Sequence, residues 1–174
     1  MTRRPAGKPA GKSIRKRAAV VTAAALVATG TVAAGVSAAG PERSAKPSKR
    51  QIASLFDQWN AALQTRDPEK VADLYADDAV LLPTLSNKIR TDHAEIADYF
   101  EHFLQKKPVG KKVETIVNVL DGNSAIDAGV YRFTFTDPKT GKKSVAEARY
   151  TYEYEKRDGE WKIVNHHSSA MPEG

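Results

Sequence analysis

From Arg50 onward the chain alternates between apolar and polar positions in a way that fixes most of its local structure. Ile52, Leu55, Phe56, Trp59, Ala62 and Leu63 recur at helical spacing, which predicts one amphipathic helix over roughly 48–65. Asp67-Pro68-Glu69 reads as a helix start, with Asp as cap, Pro in the first turn and Glu favoured by the dipole. The short second helix that follows puts Val71, Leu74 and Tyr75 on one face. Ala79 to Leu82 is an apolar run ended by Pro83, a short strand. Asp92 with Glu95 three residues later resembles a capping box. A third helix carrying Ile96, Phe100, Phe103 and Leu104 follows, stopping near Pro108.

After Lys111 the period changes to two. Val113, Thr115, Val117 and Val119 form one face of a strand, and Asp121-Gly122-Asn123 is a hairpin signal. Two long strands follow, over about 124–136 and 142–156, separated by a turn at Asp137 to Gly141. Arg157-Asp158-Gly159-Glu160 turns the chain into a last strand from Trp161 to Ser168. The order is helix, helix, strand, helix, then four antiparallel strands. Each helix has one apolar face, so the natural packing is an α+β cone: three N-terminal helices inside a curved antiparallel sheet.

Parity sorts the long strands into two faces. Ile126, Ala128, Val130, Arg132 and Thr134 share a side with Val145, Glu147, Arg149 and Thr151. The other side is aromatic: Tyr131, Phe133 and Phe135, then Tyr150, Tyr152 and Tyr154. The pattern allows two packings. Either the aromatics cover the helices and the arginines meet water, or the arginines line the cone and the aromatics form a subunit interface.

Charge changes the picture less than it first suggests. The 174 residues carry a formal net charge of +6. Seven Lys/Arg and no acid lie within residues 1–40, leaving 20 bases against 21 acids in the remainder. The domain therefore gives no electrostatic reason to expect nucleic acid. Basic residues 1–17, the Ala-rich apolar stretch 18–36 and the small residues around Ala38 and Ala39 form the pattern of a secretory signal. The expected organisation is a signal peptide over 1–39, a linker over 40–49 and a domain over 50–172. The protein would be secreted, touching the membrane only transiently, or anchored if the leader stays uncleaved. There is no cysteine, which excludes disulfides, thiolate metal sites, a Cys nucleophile and a lipid-bearing cysteine anchor.

The ending RDGEWKIVNHHSSAMP carries a resemblance, through Arg157, Asp158, Gly159, Trp161, Ile163, Val164, His167, Ser169 and Pro172. Arg132 in AGVYRFTF, the Glu147-x-Arg149 pair and the segment YADDAVLLP add to it. In their order and spacing these resemble the nuclear transport factor 2-like superfamily, of the calcium/calmodulin-dependent protein kinase II association-domain type. Small bacterial members labelled SgcJ/EcaC-like are the nearest in character. Asn165 departs from the kinase domain, which usually has His there. No Gly-rich loop, H-R-D or D-F-G motif occurs, so kinase activity is excluded. The resemblance implies that the strand arginines point into the cone around a small carboxylate. It also implies that the outer face of the sheet builds dimers or larger rings, which selects the second packing above, with the aromatics in the interface.

Arg132 and Arg149 are then the expected ligand-binding pair, since a guanidinium fork grips a carboxylate bidentately. Glu147 can pair with one of them, or close an internal salt network with both. His167 would lie at the pocket mouth, Tyr75 would be a donor and Trp59 a wall. Glu147 and His167 are the candidates for acid–base chemistry. His166 and His167 point to opposite faces of one strand, so they cannot chelate together, and neither a metal nor a cofactor is expected. The reading is an exported homo-oligomeric module that binds a small anion, or alternatively an isomerase, cyclase or hydrolase using the same pocket.

Overall fold

The computed structural model describes residues 45–173. The stretch expected to be a signal peptide and the start of the expected linker lie outside the described residues. From Ser48 the chain is helical: α1 (Lys49–Ala53) and α2 (Leu55–Thr65) replace the single expected helix. Ser54 marks the break. It stays in helical backbone geometry but turns its hydroxyl back onto Gln51 O at 2.7 Å, the local bond by which Ser competes with a regular helix. α3 (Pro68–Ala72) is capped by Asp67, which accepts from Glu69 N. Tyr75 does not extend this helix. It opens β1 (Tyr75–Leu82) and is buried there. α4 (His93–Leu104) is capped by Asp92, while Glu95 reaches back to Thr91 N at 3.1 Å.

The sheet has five strands in the order β1-β5-β4-β3-β2, with β2 (Val109–Val119), β3 (Ser124–Thr136), β4 (Lys143–Arg157) and β5 (Glu160–Ala170). β2 to β5 are antiparallel neighbours, as the period-two pattern requires. β1 joins the edge in parallel with β5, a pairing that local periodicity does not reveal. Among the described residues no helix is long and apolar enough to cross a membrane.

The aromatic face of the sheet packs on the helices. Tyr131, Phe133, Tyr150, Tyr152 and Tyr154 are buried in one core with Phe56, Trp59 and Phe100. Trp59 is its centre, in ring contact with Phe56, Phe100, Phe133, Tyr152 and His166. The second packing is thereby corrected: the aromatics face inward and are not available as an interface. Their area matches the helical stripes, and burying them is worth about 2–3 kcal/mol each. Burying two guanidiniums in their place would cost energy, since one carboxylate cannot pair both.

Two bulges move side chains from one face to the other. Between Lys112 and Glu114 the β2 register shifts, so Val113 is 52% exposed while Val117 is buried. Between Ile163 and Asn165, β5 slips against β4, and the alternation beyond Ile163 is inverted. Beside the first bulge sits Gly129, where a Cβ would lie 2.0 Å from Glu114 O and 2.7 Å from Glu114 C. Those are backbone atoms of the neighbouring strand and cannot step aside. Gly129→Ala should therefore destabilise the fold by about 3 kcal/mol, read as a lowered urea midpoint; an unchanged midpoint would show that β2 is free to move.

Candidate functional site

The curved sheet and α4 leave one end of the cone open to a cavity of about 340 Å³. Its walls come from α2 (Trp59), the end of β1 and its following loop (Leu81, Pro83, Leu85), α4 (Tyr99, Phe100, Phe103) and the inner sheet face (Tyr131, Phe133, Phe135). These surfaces are predominantly apolar. A cavity of this size, with few polar groups converging on it, is the usual form of a small-molecule site.

The polar groups fall into two sets. Deepest is His166, 3% exposed and stacked on Tyr152 with ring centroids 4.1 Å apart. Its Nδ1 lies 2.8 Å from Tyr75 Oη, and Trp59 Nε1 donates to the same phenol at 3.1 Å. His166 Nε2 is buried without a hydrogen-bond partner. Nearer the rim, Tyr131 Oη donates to Ser168 Oγ, which also meets Thr84 Oγ1. Burial, and then the charge of neighbouring His167, pushes the His166 pKa down from 6.5 to about 3. The imidazole is therefore neutral at physiological pH. Burial likewise holds the Tyr75 and Tyr131 phenols protonated.

The expected site residues divide between this cavity and the opposite side of the sheet. Trp59 lines the cavity as a wall, and Tyr75 supports it from behind. Arg132 and Arg149 do not enter the cone, because both lie on the outer face with their side chains in solvent. Arg132 pairs with Glu147 there, Nε to Oε1 at 2.7 Å. Half the Arg132 side chain and a third of Glu147 stay exposed. Arg149 has no ion-pair partner among the described residues, so the three-member salt network is reduced to one pair. Glu147 touches the cavity rim, but its carboxylate is held by Arg132. His167 is exposed on the outer face, beside Arg149, Thr151 and Ser169 in a shallow groove.

The histidine that does face the cone is His166. Strict alternation from buried Ile163 points to His167; the β5 bulge transfers the inward position to its neighbour. A second interior group, Asp127, is fully buried, accepting from Tyr150 Oη at 3.0 Å with Lys112 Nζ at 3.8 Å. It braces β3 against β2 and α1 and lies outside the cavity lining. Among the described residues no cluster of three His, Cys, Asp or Glu could hold a metal ion.

The model of the calcium/calmodulin dependent protein kinase II association domain family matches residues 48–172. The chain belongs to this family. A solved structure from Xanthomonas campestris, provisionally assigned to the same association domain, is 59% identical with a TM-score of 0.72, covering 76% of this chain and 96% of its own. A nuclear transport factor 2-like superfamily protein from Salmonella enterica shares the fold at 19% identity and a TM-score of 0.61, over 72% of this chain and 96% of its own. The association domain of the Caenorhabditis elegans kinase does so at 15% identity and 0.58, over 70% and 95%. No curated protein matches the chain. The fold is thus the cone of the nuclear transport factor 2-like superfamily.

In this association-domain member the buried imidazole leaves a signature in acid. The unfolded chain protonates His166 near pH 6.5, and the folded one only near pH 3. The contribution is fully present above the unfolded value and lost as the pH falls towards about 3, at up to about 1.4 kcal/mol per pH unit. Asp127 acts in the opposite sense, because burial raises its pKa and its protonation on acidification relieves a penalty. The two are separated by comparing variants. His166→Phe should show a shallower loss of stability than the wild type between about pH 6 and pH 4, measured as urea midpoints at each pH. Parallel curves would place the titrating group elsewhere.

Proposed function

We propose that this association-domain member is a self-associating binding module that takes a small, largely apolar molecule into the open end of its cone. The observation that carries the reading is the cavity itself: about 340 Å³ walled mainly by aromatic and aliphatic side chains from α2, α4 and the inner sheet face. Filling such a cavity with an apolar body removes apolar surface from water on both sides, which is the main source of affinity in sites of this form. Lys106 is the only cationic side chain among the described cavity-lining residues, and it stands exposed at the rim. The interior therefore favours an uncharged ligand body over the carboxylate expected from the arginines. Binding is favoured over proton-transfer catalysis because His166 is a neutral, dry imidazole and the Glu147 carboxylate is tied to Arg132. The leader pattern supports export of the module, with cleavage near Ala38 or Ala39.

Tetralin, an apolar bicycle with no polar group, is a suitable probe. In a Trp161→Phe background, Trp59 fluorescence should change saturably with tetralin. Ala148→Phe, which places a ring in the cavity, should weaken binding at least about tenfold. If no saturable change occurs by fluorescence or calorimetry, the cone does not hold a ligand.

Self-association rests on a different surface. The outer sheet face exposes Ile116 and Val145 at 62% and 61%, within a face that also carries Val130 and Arg149. Apolar side chains standing free on a broad sheet mark a contact surface, and a second copy of the chain is the occupant that the family name suggests. Wild-type protein should sediment as a dimer or larger species, and Ile116→Lys with Val145→Lys should shift it to monomer. Monomeric wild-type protein at high concentration would remove this part of the reading.

A further inference from the structure

The charges of the domain nearly cancel, at 20 bases against 21 acids beyond residue 40, but they are not spread evenly. Lys106, Lys107 and Lys111 lie where α4 passes into β2, and Lys139, Lys142 and Lys143 lie on the turn from β3 to β4. The two groups are neighbours, because Thr136 N donates to Lys106 O at 2.8 Å and Lys111 is in register with Arg132 of β3. All six lysines are exposed, and none has an ion-pair partner among the described residues. Asp137 offsets part of this charge but is folded into its own turn, accepting from Lys139 N and Thr140 N. Glu147 is held by Arg132, which leaves Glu101 of α4 as the unpaired acid nearest in sequence.

This end of the molecule is also the mouth of the cavity. Lys106 stands on the rim, Phe135 and Ala146 line the cavity just before and just after the lysine-bearing turn, and Ala170 lines it from the end of β5. Two apolar side chains stand out beside them, Leu85 at 61% exposed and Met171 at 37%. The far end has the opposite sign. Roughly 45 Å away along β4, at about 3.3 Å per residue, Asp73, Asp77, Asp78, Asp158 and Glu160 gather with Arg157, Lys162 and His93. The domain is a charge dipole with its positive pole at the cavity mouth.

We infer that the mouth end is a docking surface for a bilayer that carries anionic lipid. Lysines near such a surface are each attracted to it, and apolar side chains among them sink into the headgroup boundary. The acidic far end is repelled, so the dipole turns the mouth towards the membrane before contact. A single-stranded nucleic acid fits less well, because it needs exposed rings to stack on, and the rings at the rim, Tyr99, Phe103 and Phe135, are partly buried in packing. Docked in this way, the cavity opens onto the hydrocarbon in which apolar molecules collect. Exchange of ligand across the contact rests on the reading of the cone as a binding site; the docking does not.

The species to test is the unit from Gly40 to Gly174, which is compact by itself and contains the whole core. Its use removes the basic, apolar leader, which would seek membranes on its own. It should sediment with vesicles of phosphatidylcholine mixed with phosphatidylglycerol, not with phosphatidylcholine alone, and added salt should weaken the binding. Lys139→Glu, Lys142→Glu and Lys143→Glu together should weaken it at least about tenfold. The same change of net charge at the far end, by Lys49→Glu, Lys70→Glu and Lys156→Glu, should leave it within about twofold of the wild type. Orientation is read without touching the lysine cluster. The chain has no cysteine, so Met171→Cys and Lys156→Cys each carry one environment-sensitive dye, and only the dye at 171 should shift to the blue on anionic vesicles. Absence of sedimentation, equal losses in the two triple variants, or a shift at 156 overturns the inference. Lysine-dependent binding to single-stranded polynucleotide with none to vesicles overturns it too and reassigns the patch. Failure of docking leaves the cavity reading standing, and failure of tetralin to bind removes the exchange and leaves the docking.

Discussion

The fold turns on Trp59. Its indole sits on the helical side of the core, yet it touches rings from α2, α4, β3, β4 and β5, so it links every layer that the cone brings together. It is 2% exposed, and truncating such a residue costs about 3–5 kcal/mol. Its one polar atom is not wasted, because the indole N–H is bonded to Tyr75 Oη. The same side chain thus supports the packing and starts the hydrogen-bond chain that ends in the cavity.

This coupling explains why the interior is dry. Aromatic rings packed edge to face leave few gaps for water, and the polar groups around Trp59 are an indole, phenols held protonated by burial and an imidazole kept uncharged, while the buried Asp127 lies apart, braced by Tyr150 and Lys112. The strand arginines Arg132 and Arg149 are sent to the opposite face, where Arg132 pairs with Glu147 in partial solvent. A pair of that kind adds little stability, but it lets the outer face keep its polarity while the inner face stays apolar apart from Asp127. The sheet behaves as a partition between two chemistries, and alternate residues of β3 and β4 serve one or the other.

Much of this was legible in the chain. Helix and strand identities followed from period, the caps at Asp67 and Asp92 from their side-chain chemistry, and the two faces of β3 and β4 from parity. Which face turned inward was not. Alternation says that Arg132 and Tyr131 oppose one another and is silent on direction, which depends on the total aromatic area that the helices demand. The site itself was half visible. Trp59 lies on the inward helix face that its spacing indicated, whereas Tyr75, expected on a helix, opens β1 and stands behind the cavity wall. His166 was hidden behind His167 because a single extra residue in β5 inverts the alternation, and a bulge has no local signature in that strand. The parallel seam between β1 and β5 was hidden for another reason: it joins distant segments, and neither carries information about its partner.

That seam orders events in time. β1 lies in the first half of the domain, and its strand partner, β5, ends at Ala170. Until β5 is made, the apolar stripes of α1 to α4 have an incomplete sheet to rest on, and the lid over the Tyr75 side of the core is missing. Such non-local closure slows folding relative to local pairing. The hairpins of β2 to β5 pair locally, and the β1–β5 seam closes after them. Once the final strand docks, the same residues become the least accessible in the molecule.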